Sequence, residues 1–524
     1  ELDLVRYLHE DTNTEVIMIY LEELRRGPEF VETVKEITSG YRRTPVLVIK
    51  SGRTVAGAAA AASHTGALAG SEAVYDAIFK QTGIIRAESI HELFDFASAF
   101  AYKEESALGK LRRKVPHGNR VAIITNAGGP GIVATDVTVS SGLRLACFHE
   151  ETIAALASHL PETANLNNPV DVIGDASPDR YENALSAVIK DEGVDGALVI
   201  LTPQSMTNAL ATAEAIVRVA RGSQKPILCS FMGIVDVSAG VKYLQQHGYP
   251  VFNFPENAAK AFGTLYKYSQ WVSRQQLAPL TLQHDRERAD RIINSCLAAG
   301  KTHLGELDGT DLLQCYGFNV LPTRLAKDDR EAVDIAEEIT YPVVMKIVSP
   351  QILHKSDAGG VVVGLKNRET VQKTFNDIVT RASRYDPKAI IEGVLVQKLA
   401  PPGTETILGM NRYPVFGPLL MFGLGGIYVE LFEDVVFRLA PIGRNEARRM
   451  MHEIKGFKLF EGFRGRPKAD LVVIEKSLVC LSDLVLNHPE ISEMDINPLM
   501  IHEEGKGATV ADCRIILKPL EKGE

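Results

Sequence analysis

The sequence predicts an α/β protein of doubly wound parallel sheets, followed by a third region built in a different style. Two observations carry this. In the first half, short apolar runs bounded by turn residues alternate with longer helical patterns, the signature of βαβ units. From about residue 289 the order changes to helix-then-strand modules and then to a mixed region of irregular strands.

The elements follow in order. Leu2–Leu8 reads as an amphipathic helix feeding straight into a strand. Val16–Leu21, Val46–Ile49, Val121–Thr125, Ala197–Thr202 and Ile227–Phe231 are short, mostly apolar runs that read as buried parallel strands. The basic, turn-rich stretch Leu111–Gly118 is the expected linker between a first domain, 1–113, and a second, 118–280. The polar and then charged stretch Gln275–Arg288 precedes a third domain, 289–524, expected to divide into subdomains of about 289–380 and 381–524. The chain opens on Glu1 in mid-architecture, so an upstream domain is expected.

Composition sets outer limits. At 524 residues the chain is too long for one core. Hydrophobic residues at 45% and charged residues at 23% are ordinary for a soluble globular protein. A net charge of −9 argues against a nucleic-acid partner. The six cysteines are scattered, without a CxxC pair, which fits a reducing, cytoplasmic setting and not structural zinc. No apolar run reaches the roughly 18 residues needed to span a membrane.

Four motifs carry chemistry. The first is Ser63-His64-Thr65-Gly66, in a run of small residues after the Val46–Ile49 strand. A neutral imidazole is a competent nucleophile, and small neighbours leave room for a phosphoryl group. Taken alone, His64 also reads as an ordinary surface-loop histidine. The second is Thr125-Asn126-Ala127-Gly128-Gly129-Pro130-Gly131, between a strand and a helix. Glycines admit close approach and a helix N-terminus favours anions, so a phosphoryl group is the natural guest of Asn126, Gly128 and Gly129. A plain tight turn reads as well. Asp171 could aim into the same crevice or could cap a helix.

The third region is denser. Lys346 ends the apolar strand Val343–Lys346, and a buried strand rarely carries a lysine without a charged partner. Lys355, Ser356, Gly359 and Gly360 follow in a polar glycine-bearing loop, with His354 beside them, suited to covering phosphates. Glu405 and the loop Gly423–Gly426 come next, and the Walker A pattern is absent. The fourth motif is Asp495-Ile496-Asn497-Pro498, with Asp512 on the neighbouring strand. Hard oxygen ligands so placed suit magnesium bridging nucleotide phosphates; a solvent-facing acidic strand edge is the other reading.

Together these motifs resemble the NDP-forming acyl-CoA synthetase superfamily, from about Asp3 to Leu517. The resemblance implies two flavodoxin-like domains followed by an ATP-grasp domain. It places the phosphorylated histidine at His64 and its orienting glutamate at Glu22. It puts the phosphate-binding lysine at Lys346, magnesium ligands at Asp495, Asn497 and Asp512, a relay histidine at His354, and a further phosphate-side residue at Arg438. Lys398 stands where relatives usually carry glutamate. The family's CoA-binding domain would precede Glu1 or lie on a separate chain.

The implied reaction joins a small carboxylic acid, acetate by default, to CoA. It is driven by conversion of ATP to ADP and phosphate, through an acyl phosphate and a phosphohistidine, with magnesium as cofactor and an oligomeric assembly. The alternative is a catalytically silent synthetase-like module that regulates a protein lysine acetyltransferase. Such modules typically lose the active histidine, which the Ser63–Gly66 motif retains.

Overall fold

The apolar runs become strands because β-branched and aliphatic side chains fill a pleated surface covered on both sides. The structure, a computed structural model, describes residues 2–54, 72–101, 103–105, 111–274, 277–352, 355, 357–426, 434–465 and 467–519. Contacts divide the chain into two compact units, Glu1–Gln275 and Gln276–Glu524.

The first unit holds two parallel sheets. The smaller has three strands in the order Ile17–Leu21, Val46–Lys50, Ile85–Ala87. The larger has six: Val251–Phe252, Ile227–Phe231, Gly196–Leu201 and Arg120–Thr125 lie side by side, and Arg144–Leu145 and Val170–Asp171 both pair with Arg120–Thr125. The five long runs read from sequence are all present. Chain order reverses between Arg120–Thr125 and Gly196–Leu201, which is where doubly wound sheets open a ligand crevice at their carboxyl ends. Ala122, Ile124, Val199 and Leu201 face one helix layer with Tyr181 and Leu185. Val121, Ile123, Leu198 and Ile200 face the other, with Phe96, Phe100 and Phe262.

Leu47 and Ala87 of the smaller sheet join that second cluster, so the two sheets share a core. The stretch Leu111–Gly118, expected as a linker, is itself bonded to the rest of the unit. Leu111–Arg113 pairs as an antiparallel strand with Lys103–Glu105. Arg113 donates to the Glu15 carbonyl at 2.9 Å, and the buried Lys114 donates to the Ala220 carbonyl at 2.9 Å. Two of its basic residues tie down main-chain acceptors.

The second unit holds a four-stranded antiparallel sheet, ordered Thr323–Ala326, Gly393–Lys398, Val343–Val348, Val361–Leu365. It also holds a seven-stranded sheet centred on Ile491–Ile501 and Thr404–Tyr413. Helix starts follow local capping: Asp328, Asn367 and Asp470 accept from the backbone N–H three residues on. The sheets do not part at the expected 380/381 boundary. Gly393–Lys398 completes the smaller sheet. The helices Arg286–Ala298 and Glu306–Cys315 lie earlier in the chain, yet they contribute Ala289, Ile293, Leu312 and Leu313 to the larger sheet's core. Their apolar faces find cover only there.

One carboxamide secures the larger parallel sheet. Asn168 accepts from Ile123 N at 2.9 Å and donates to Val121 O and Ala146 O at 2.8 and 3.0 Å. Asn168→Ala removes a partner from three main-chain groups, of which Val121 O keeps the Ala146 N–H at 3.0 Å. It should destabilise the first unit by about 2–3 kcal/mol, read as a lower urea midpoint in Trp271 fluorescence, since the single tryptophan lies in that unit.

Candidate active site

Lys346 is 5% exposed on the strand Val343–Val348, and three groups gather about its ammonium. It donates to Glu306 at 2.6 Å and to the Ala511 carbonyl at 2.9 Å, and lies 3.5 Å from Asp512. Lys355 donates to the other oxygen of Glu306. Burial would lower the Lys346 ammonium, but the Glu306 and Asp512 charges hold it above its usual value. Burial would raise the Glu306 carboxyl, but the two lysines hold it below the carboxylate range. Lys346 and Glu306 thus hold each other in the charged form despite burial.

Asp512 and Asp495 lie on the acid side of this pocket. Burial raises Asp512, opposed by Lys346. Asp495 is pushed up to about 6 by burial and then by the Asp512 charge. Its register partners on the two flanking strands are Gly409 and Arg514. Asp495 Oδ1 is buried without a hydrogen-bond partner among the described residues. Asn497 lies two residues on, exposed, and its N–H donates to Asp512 O at 3.2 Å. An orphaned carboxylate oxygen, a second carboxylate and an amide fit a hard divalent cation. This partial donor set suits magnesium, which keeps several waters and takes phosphate oxygens.

The other expected residues fall as follows. Gly359 has φ +61, and a Cβ on Gly360 would meet Ile347 Cγ2 at 2.4 Å, so the turn itself requires both glycines. Glu405 is exposed on Thr404–Tyr413, its carboxylate over Gly426, where an added Cβ would meet Oε2 at 2.3 Å. Arg438 is 1% exposed and donates to Glu446 at 3.2 Å, to Glu453 and to the Phe437 carbonyl, so its guanidinium is engaged by carboxylates. Lys398 ties down the turn before Pro342, donating to Thr340 O and Oγ1 at 2.9 Å and to Tyr341 O at 3.1 Å.

In the first unit, Asn126 sits at the point where chain order reverses. Its Nδ2 donates to Thr202 O at 2.8 Å, and its Oδ1 accepts from Thr202 N and Oγ1 at 2.9 and 3.0 Å. It staples the two strand ends of the crevice together. Gly128 and Gly129 open the helix Gly128–Ser140, exposed, with nothing within 4 Å of a Cβ on Gly129. Asp171 borders the same loop, 3.9 Å from a Cβ on Gly128. Glu22 directly follows the strand Ile17–Leu21, and its charge acts on Lys50, a buried lysine at the end of the adjacent strand. Ser63, His64, Thr65, Gly66, His354 and Ser356 lie outside the described residues.

Sequence reasoning missed Glu306. Glu306-Leu307-Asp308 looks like an ordinary acidic helix start. The available signal was Lys346 itself, whose buried position demands a carboxylate without saying which one.

Asp495 yields a pH prediction. Its folded value near 6 exceeds the unfolded value of about 3.9, so the fold binds the extra proton between these limits. Stability of the metal-free chain therefore falls as pH rises through that window and stays reduced above it. Asp495→Asn should stabilise the metal-free second unit by about 2 kcal/mol at pH 7.5 and by nothing near pH 4, measured by thermal unfolding with chelator.

Comparison with known proteins agrees with this geometry. Residues 1–100 match the succinyl-CoA ligase like flavodoxin domain, 121–277 the ligase-CoA domain, and 295–517 the ATP-grasp domain. Acetate–CoA ligase (ADP-forming) I of Archaeoglobus fulgidus is 42% identical over 518 residues, 99% of this chain and 72% of that protein. The 4-hydroxybutyrate–CoA ligase (ADP-forming) of Nitrosopumilus maritimus is 38% identical over 98% of this chain and 72% of its own. In Pyrococcus furiosus the similarity divides between two chains of acetate–CoA ligase (ADP-forming) I. The alpha subunit is 36% identical over 52% of this chain and 57% of its own, and the beta subunit 43% identical over 44% and 98%. Similarity of this degree along nearly the whole sequence means that this chain belongs to the family of ADP-forming acyl-CoA ligases, enzymes that make a carbon–sulfur bond.

Proposed function

We propose that this chain supplies the nucleotide-binding and phosphohistidine parts of an acyl-CoA ligase acting on acetate or another small carboxylic acid. The observation that carries the reading is the buried pocket that sets Lys346 and Lys355 opposite Asp495 and Asp512. Cations on one side and acidic oxygens on the other are what a nucleotide's phosphates and their magnesium require.

Lys346 and Lys355 take the terminal phosphates of ATP. Asp495, Asn497 and Asp512 hold magnesium, which when bound spreads the charge developing on the transferred group. The γ-phosphoryl passes to an imidazole nitrogen and ADP leaves. His354 relays the group to His64, because Lys346 and His64 fall in different family domains. Glu22 holds the His64 ring in its reactive tautomer. A substrate carboxylate oxygen then takes the phosphoryl group, giving an acyl phosphate. The thiolate of CoA attacks its carbonyl carbon, the thioester forms and phosphate leaves. All steps reverse, so the same residues make ATP from an acyl-CoA.

The CoA-binding domain that completes the last step lies upstream or on a separate chain. The Pyrococcus furiosus alpha subunit supports this, since only 57% of its length corresponds to this chain. We place the enzyme in the cytoplasm as an oligomer. Among the described residues no helix is long and apolar enough to cross a membrane, and all six cysteines are free.

The test is ADP release with acetate, CoA, ATP, magnesium and a supplied CoA-binding domain. His354→Ala should lower ATP-driven turnover by about a hundredfold or more while His64 still accepts phosphate from acetyl phosphate. Undiminished ATP-driven turnover in that variant would remove the relay.

A further inference from the structure

We infer that Glu306 is a positioning residue for the phosphate-side lysines: one carboxylate that aims both ammonium groups and tempers their hold on nucleotide phosphates. The inference rests on the proposed nucleotide site and adds a residue that neither motif nor family resemblance brought forward.

Three observations support it. The Glu306 side chain is 4% exposed, and each carboxylate oxygen takes one lysine, Oε1 from Lys346 and Oε2 from Lys355. Its helix, Glu306–Cys315, is anchored through Leu312 and Leu313 in the core of the seven-stranded sheet, whereas Lys346 belongs to the four-stranded sheet. The carboxylate therefore fixes the lysines of one sheet against the frame of the other. Finally, Lys346 has three N–H donors, of which Glu306 and the Ala511 carbonyl take two. Among the described residues the third donor makes no hydrogen bond and has only Asp512 near it, at 3.5 Å, and its direction is set by the other two bonds.

Stability alone does not account for such a group. A buried ion pair is often no better for the fold than an apolar pair of the same size, so its worth lies elsewhere. Without Glu306 the nearest carboxylate to the Lys346 ammonium is Asp512, at 3.5 Å. The third lysine donor then loses its fixed aim, and phosphoryl transfer slows. The same carboxylate is also a fixed negative charge beside the place the phosphates take. It weakens the attraction of two lysines for a polyanion and so favours release of ADP.

Charge and geometry can be separated by substitution in the full chain. Glu306→Gln removes the charge at constant size; Glu306→Asp keeps the charge but is too short to reach both lysines. Titration calorimetry with magnesium ADP should show Glu306→Gln binding about threefold more tightly or better, with Glu306→Asp no tighter than wild type. Adenosine, which lacks phosphates, should bind all three alike. Single-turnover labelling of the protein by ATP should be slower by about tenfold or more in both variants. Unchanged or weaker ADP binding in Glu306→Gln, or labelling at the wild-type rate, would overturn the proposal. A wild-type chain that binds no ADP would instead refute the nucleotide site itself. Should Glu306→Gln fail to fold, the comparison moves to Lys355→Gln against Glu306→Gln/Lys355→Gln, where the double variant should bind ADP more tightly than the single and the opposite order would overturn the proposal.

Discussion

A lysine buried in a β-strand is the constraint around which the second unit is arranged. An ammonium taken out of water is tolerated only where opposite charge and hydrogen bonds replace its solvation. Lys346 meets that requirement from two other chain segments: Glu306 at the start of one helix, and Ala511 with Asp512 beside the central strands. The local demand of one side chain thus specifies how a helix and a sheet must approach the Lys346 strand. Among the described residues the arrangement leaves the third lysine donor with only the Asp512 carboxylate at 3.5 Å and the Asp495 oxygen with no hydrogen-bond partner, and those are the atoms a ligand would need.

A second ion network in the unit contrasts with this one. Glu446 and Glu453 take up Arg438, and Glu475, 2% exposed, receives Arg444 and Arg448 at 2.7 and 2.6 Å. These pairs fasten the helix Arg444–Glu453 to its surroundings, and each carboxylate is matched by guanidinium. The Lys346 pocket differs because its acidic side holds a carboxylate pushed toward neutrality instead of a balanced pair. A carboxylate displaced in this way by burial and a like charge is a candidate functional group.

Much of the fold was legible because buried parallel strands carry their signal in every residue. Val46–Ile49 and Gly196–Leu201 are apolar throughout and have few competing readings. The charged partner of Lys346 was legible for the opposite reason, because a lysine in an apolar strand demands one. What stayed hidden was pairing at long range. Glu306 resembles a helix start, and only the fold brings it to a lysine forty positions away. Asn126 looks like a ligand contact in a glycine loop but staples two strands through Thr202. Arg113 and Lys114 marked a basic, turn-rich linker, and the sequence did not reveal which distant carbonyls they reach. The division of the second unit was misplaced because its first helices pack on strands that come nearly two hundred residues later.

The central claim is that the Lys346 end of the second unit supplies a phosphoryl group that comes to rest on His64. The most direct measurement is to incubate the chain with magnesium and γ-labelled ATP and look for acid-labile, base-stable label on the protein, with His64→Ala and Lys346→Ala alongside. The account predicts label on the wild-type chain and none on either variant. A wild-type chain that binds ADP yet acquires no label, or label that persists in His64→Ala, would contradict it.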